Sequence, residues 1–376
     1  MNQRRWLMAL ALMTIPGTAA FAQDAAPLET SKPVLQTPFT NQDLNGWKAM
    51  GGNARVSVTT DETRPGGDKN VLQMDYSVVK GEMNFLYLTV NDNEITQAKS
   101  FRFAVKADYA TTLAMTLQEK DGGRYSAAFH VPPGKWQTVV LSPSDFSLAR
   151  ENDAPVDTNG KLDLDQVNFV GLADAGQYFA QAGDPTLSQL FGIKPGSHSL
   201  KVADFTISRQ PVAGGLTPSD ARIDSFAGPQ VNWLATGGVE LAATGGKPLN
   251  GRGFSASYRQ SQDRFSGFMR DVGQGKCLGK TALKMTLASE KAAKVIVQLE
   301  EKGGGKYNAI VTVPEGNVAT PFVVRFADLK PADDSKDDNS TFDQGNIHRI
   351  VLIDVSGFLD KTDTQNTLHI GDLRFE

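Results

Sequence analysis

Carboxylates are the side chains best able to do chemistry in this sequence, and two of them recur. Glu119 and Glu301 stand at the same place in two copies of one segment. Cleaving a glycosidic bond needs two carboxylates about 5 to 10 Å apart, one on each side of the bond. One acid per copy, 182 residues apart, does not supply that pair. Beside its lysine, each glutamate reads instead as an exposed charge at a hairpin end. The four histidines, His130, His198, His348 and His369, are scattered, with no two at metal-ligand spacing. Cys277 is the only cysteine and lies in the loop GQGKCLGK. Lys276 and Lys280 would favour its thiolate, but a lone loop thiol is more readily incidental than nucleophilic. There is no G-x-S-x-G, H-E-x-x-H, P-loop or dinucleotide glycine fingerprint. What remains is recognition, so the expectation is a protein that is not an enzyme.

The polar residues suited to recognition lie on alternating positions. If Leu113, Met115, Leu117, Tyr125, Ala127 and Phe129 face a core, then Thr116, Gln118, Lys120, Arg124, Ser126 and His130 share the opposite face. In the second copy that face carries Gln298, Glu300, Lys302, Lys306, Asn308 and Thr312. Amides, carboxylates and guanidinium groups hydrogen-bond sugar hydroxyls, Arg and Gln with several donors each. Sugar sites also need apolar or aromatic lining for the ring faces. Phe85 and Tyr87 in NFLYLTV, and Phe268 in RFSGFMR, are the candidate platforms. The candidate ligand-binding set is therefore Phe85, Tyr87, Gln118, Arg124, His130, Phe268, Gln298, Glu300, Lys306 and Asn308. Tyr125 and Tyr307 read as packing residues.

These residues are positioned by a repeated hairpin. Leu117 to Gly134, LQEKDGGRYSAAFHVPPG, aligns without a gap to Leu299 to Gly316, LEEKGGGKYNAIVTVPEG, with ten of eighteen positions identical. Each copy has two apolar alternations flanking Glu-Lys and a glycine turn, the signature of a β-hairpin. Further landmarks pair up: LQMDY at 72–76 with FSASY at 254–258, Trp47 with Trp233, and VNFVGLAD at 167–174 with IHRIVLID at 347–354. Helical periodicity is nearly absent, with one short turn over Leu187 to Phe191. The expectation is an all-β chain of two tandem β-sandwiches from an internal duplication. Domain 1 covers 33–208, a Pro/Gly-rich linker 209–219, and domain 2 covers 220–376.

Residues 1–22 read as a signal peptide, with Arg4 and Arg5, an apolar run from Trp6 to Ile15, and the site Ala20-Phe21-Ala22. Residues 23–32 read as a disordered lead. Losing the two arginines takes the formal net charge from −4 to −6, which disfavours a nucleic-acid partner. No later apolar run reaches membrane length, so export to a periplasm or beyond is expected. A single thiol leaves the exported chain without an internal disulfide.

The segment Trp136 to Phe146, WQTVVLSPSDF, resembles a strand of galactose-binding-like jelly rolls. These include family 11 carbohydrate-binding modules and complex I intermediate-associated protein 30 domains. Ile223-Asp224-Ser225-Phe226 and Ile370-Gly371-Asp372-Leu373-Arg374-Phe375 resemble the opening and closing strands of that frame. The second unit departs from it, with TPFVVRFADL in place of the tryptophan strand, and the first unit departs at its opening strand. The resemblance implies jelly-roll domains that bind carbohydrate. It also implies a structural calcium where opening and closing strands meet, held by Asp224 with Asp372 in one unit and Asp43 or Asp204 in the other. No other cofactor is expected. The acidic loops 157–165 and 333–343 read as solvated turns. Two roles stay open: an exported carbohydrate-binding protein, or a structural protein of the envelope whose loops meet a protein partner.

Overall fold

A computed structural model describes residues 32–376 apart from 41–42, 150–156, 158, 183–184, 218, 274 and 338. The expected signal peptide and most of the lead lie outside the described residues. Pro33–Glu376 forms one compact unit. Among the described residues no helix is long and apolar enough to cross a membrane.

Alternating apolar residues make four antiparallel sheets. In the first sandwich, the sheet carrying the repeated hairpin runs in the order Ser147–Leu148, Arg124–Val131, Thr111–Glu119, Val167–Asp174, Phe85–Thr89, Trp47–Met50. The facing sheet, which contains the closing strand Gly196–Ser208, runs Arg55–Thr60, Asn70–Val78, Gly196–Ser208, Ser100–Ala107, Gln137–Leu141. The second sandwich repeats both orders. Its hairpin sheet runs Lys330–Pro331, Lys306–Val313, Ala293–Glu301, Ile347–Asp354, Ser266–Asp271, Leu234–Ala235. Its closing sheet runs Glu240–Gly246, Gly251–Gln260, Thr364–Phe375, Ala282–Ser289, Thr320–Arg325. The same order twice is what a duplicated domain produces.

Trp47 packs edge-on to Phe205 at 5.0 Å in the first core, and Trp233 lies beside Phe254 at 5.2 Å in the second. Each core also closes over one fully satisfied aspartate. Asp174 accepts from Tyr76, Tyr109, Thr111 and the Gly176 amide, and Asp354 accepts from Tyr258, Gln260 and the Ser356 amide. A buried charge persists only when hydrogen-bonded in this way. After Asp174 the chain makes the helices Ala175–Ala182 and Pro185–Leu190, where only a short turn was expected. The opening segment of the second unit pairs with its closing strand through Ile223 N–H to Leu373 O and Phe375 N–H to Ala221 O.

Candidate functional site

The outer face of the first hairpin sheet presents three rungs across its strands. One reads Thr89, Phe169, Gln118, Arg124, and the next reads Lys48, Tyr87, Gly171, Thr116, Ser126, Ser147. The third has Met50 beside Phe85 at one side of the sheet and Ala173, Ala114, Ala128 in line at the other. Pleating turns Leu86, Leu88, Leu113, Met115 and Leu117 into the core and leaves these residues outside. Phe85 and Tyr87 are half-buried, as a platform requires. Tyr87 stacks on Phe169, with ring centroids 5.3 Å apart and planes 16° from parallel. Gly171 makes that overlap sterically simple, because a Cβ there would lie 2.5 Å from the Phe169 ring. Beside the aromatic wall is a floor of small residues, crossed by a Thr116–Ser126 hydroxyl contact at 2.9 Å.

The floor continues into a groove of about 250 Å³ between the two sandwiches. Phe85, Tyr178 and Phe179 line it from the first, and Leu234, Asp271 and Arg349 are among the residues lining it from the second. Tyr178 is 53% exposed. The volume sits just under the roughly 300–1,000 Å³ of small-molecule sites. The carboxylates at this groove are engaged: Asp174 as described, and Asp271 with Arg349 at 2.7 Å.

The second sandwich does not repeat this surface. Its three rungs are Asp271–Arg349–Glu300–Lys306, Met269–Val351–Gln298–Asn308 and Gly267–Ile353–Ile296–Ile310. An alternating-charge ladder thus replaces the Phe169 rung, and branched side chains replace the small floor. The four residues expected to bind there do share a face, and three of them are engaged by charged or amide neighbours, while the Asn308 carbonyl oxygen has no hydrogen-bond partner. Gln298 donates to Glu300 at 2.6 Å, Arg349 lies 3.5 Å from Glu300, and Lys306 pairs with Asp334.

Two other candidates are corrected. Phe268 is 0% exposed and packs between Trp233 and Phe254, in phase with core residue Leu86 of the first copy. In the same run it is Phe265 that reaches solvent. His130 is 5% exposed, and its amide donates to Val231 O of the second sandwich. Burial pushes its imidazole down to about 4, so it is neutral and enclosed at neutral pH. Sequence reading missed Phe169, Gly171, Tyr178 and Phe179. VNFVGLAD signalled a strand, but its parity and its partner were not fixed by the string itself.

Each of the four aspartates assigned to calcium already has a partner within the chain. Asp224 accepts from the Trp233 indole at 2.9 Å and from Arg270 at 3.1 Å, and Asp372 is held by Arg374 at 2.6 Å. Asp204 pairs with Arg64, and Asp43 accepts from the Asn45 amide at 2.8 Å. Asp224, Asp372 and Asp204 are thus each met by a guanidinium group, which makes a carboxylate a poorer cation ligand, whereas Asp43 is met by a backbone amide.

Among the described residues the one group of three or more drawn together is Glu119, Asp121 and Asp157. Here the reading of an exposed Glu119 is overturned: it is 1% exposed, under the acidic loop, and accepts from the Asp163 amide. Tyr125 donates to Asp157, and the second copy repeats the pattern with Glu301, Tyr307 and Asp337. Each acidic loop is thus pinned to its hairpin at these points, while most of the described residues of 333–343 stay exposed as in a solvated turn. Burial, reinforced by the neighbouring Asp157 and Asp121 charges, pushes the Glu119 carboxyl up to about 7. The native state thus binds this proton more tightly than the unfolded chain does. Its contribution to stability is complete below the ordinary carboxylate range and is lost as pH rises through about 7. Melting temperature should fall between pH 5 and 8 with a component that Glu119→Gln removes; an unchanged slope in that variant would refute the assignment. Cys277 is fully buried, and burial pushes its thiol up to about 12, the mark of an inert packing residue.

A second hollow, of about 410 Å³, lies on the first closing sheet and is lined by polar groups such as Arg55, Asp75 and Asp108. Its His198 is spoken for by Asp108 at 3.1 Å and Lys194 O at 2.7 Å.

No family model matches the sequence, and no curated protein matches it. Among solved structures, the family 11 carbohydrate-binding module from Clostridium thermocellum, in complex with a β-1,3-1,4-mixed-linked tetrasaccharide, is similar. It aligns over 46% of this chain and 94% of its own, with 16% identity and a TM-score of 0.34. The tandem CBM22-1–CBM22-2 domain of Paenibacillus barcinonensis Xyn10C aligns over 93% of this chain and 98% of its own, with 16% identity and a TM-score of 0.30. An exo-β-agarase aligns over 48% of this chain and 25% of its own, with 15% identity and a TM-score of 0.33. The observed class is a tandem pair of antiparallel β-sandwiches, as the sequence led one to expect.

Proposed function

We propose that this chain is an exported, non-catalytic protein that binds carbohydrate on the outer face of the first sandwich, where the second sandwich offers no equivalent surface. The observation that carries the reading is the asymmetry between the copies. Phe85, Tyr87 and Phe169 stand beside Gln118 and Arg124 over a small-residue floor in one, and the equivalent rungs are charged or branched in the other. Flat rings suit the apolar faces of sugar rings, and the amide and guanidinium suit their hydroxyls. Export rests on the sequence of residues 1–22.

The test is a glycan array followed by calorimetry on the full chain, with mixed-linked β-glucan and xylan among the probes. Binding by a glycan with the first sandwich as its site supports the reading. No heat and no array signal at millimolar concentration would sink it.

A second reading, an envelope protein with a protein partner, has one observation in its favour. Phe265, Phe358 and Leu359 leave an apolar patch exposed on the second sandwich. Loss of a co-purifying envelope protein in a Phe265→Ser, Phe358→Ser variant, with glycan binding absent throughout, would favour it instead.

A further inference from the structure

Two sandwiches joined by a Pro/Gly-rich stretch would by default move independently, each with its own site. The contacts between them here are of another kind. Arg270 of the second sandwich is almost wholly buried between Asp224 of its own sandwich at 3.1 Å and Asp145 of the first at 3.2 Å. It also donates to Asn232 O at 2.8 Å, fixing the segment that leads to Leu234. The Gln230 side chain acts as one more residue of the first closing sheet. Its amide accepts from Val140 N–H at 3.1 Å and donates to Val140 O at 2.8 Å. His130 N–H donates to Val231 O at 2.9 Å, so the second unit's chain also continues the edge of the hairpin sheet. At a third point Gly237 N–H meets Leu190 O at 2.6 Å, and a Cβ on Gly237 would lie 2.6 Å from the Gly192 Cα. Ion pair, amide clasp, strand edge and glycine contact are four separate constraints, and four such points leave no hinge axis.

The residues that follow these constraints are the ones that line the groove. Asp271 and Val272 come directly after Arg270, and Leu234 comes directly after Trp233 in the segment that Gln230 clasps. We propose that the two sandwiches form one rigid unit with one composite ligand site. In it the second sandwich is a fixed wall of the first one's groove, and Asp145, Arg270 and Gln230 are the positioning residues that hold the wall. This deepens the carbohydrate reading and rests on it for the chemical class of the ligand.

Two full-length variants test it without touching the lining. The first, Asp145→Asn with Gln230→Ala, loosens the joint from both sides. The second, Gly237→Ala, drives a methyl between backbones that now touch. Wild type should unfold in a single calorimetric transition and bind one glycan per chain. Both variants should split the transition in two and lower affinity for the glycan bound by wild type by about tenfold or more, as misplaced contacts do. Two independent transitions in wild type, two equivalent glycan sites per chain, or wild-type affinity in variants whose transitions have split would each overturn it. A wild-type chain that binds no glycan defeats the carbohydrate reading, and with it the composite site. The rigid joint is then still decided by the unfolding traces alone.

Discussion

Replacing Tyr87 and Phe169 together by alanine should remove about 2 kcal/mol or more of glycan affinity, roughly 30-fold, with little change in melting temperature. The magnitude is that of an aromatic anchor at the centre of a binding surface. Both rings stand on the outer face, half-buried against each other rather than in the core. Truncating them therefore removes ligand contact without opening a cavity. The single change Gly171→Val should act in the same direction. It places a branched side chain where the Phe169 ring now lies, as Val351 stands at the equivalent rung of the second copy. Ile310→Ser, on the exposed outer face of the second sandwich, is the control and should leave binding unchanged. Titration calorimetry reads all three. Equal affinity in wild type and the double variant would show that the ligand lies elsewhere.

Phe268→Ala should cost about 3–5 kcal/mol of stability, the usual range for deleting a fully buried phenyl ring. In a single cooperative unit of both sandwiches that is a fall of roughly 5 °C in melting temperature. The ring sits 6.0 Å from Trp233 and 5.5 Å from Phe254, and its removal leaves those two large side chains facing a void. Glycan affinity measured well below the new melting temperature should not change. Phe265→Ala, three residues earlier and at the surface, should stay within about 0.5 kcal/mol of wild type. A Phe268→Ala chain that melts like wild type but binds more weakly would restore that phenylalanine as a sugar platform.

Much of the architecture was legible as a string because side chains in a strand alternate with a period of two. That periodicity, repeated 182 residues on, is enough to recognise strands, hairpins and the duplication. It also placed Gln118 and Arg124 on one outer face, whereas Phe85 and Tyr87 were candidates by residue type and only the structure puts them on that face. The same 182-residue offset sets Phe268 against Leu86, so its burial was recoverable from the sequence once the copies were aligned. Glu119 is a different case. A Glu-Lys at a hairpin end looks exposed until a loop some forty residues away folds over it, and nothing local encodes that lid.

The sequence by itself determined the number of sandwiches, the strands and the inward or outward sense of most side chains. Those follow from chain-local periodicity and turn chemistry. Only the tertiary structure decided which outer face carries the proposed site. That depends on cross-strand neighbours such as Phe169 beside Gln118, and on the second sandwich set against the groove by Arg270. Neighbours of that kind are brought together by sheet order and domain docking, which no alternation along a single strand can express.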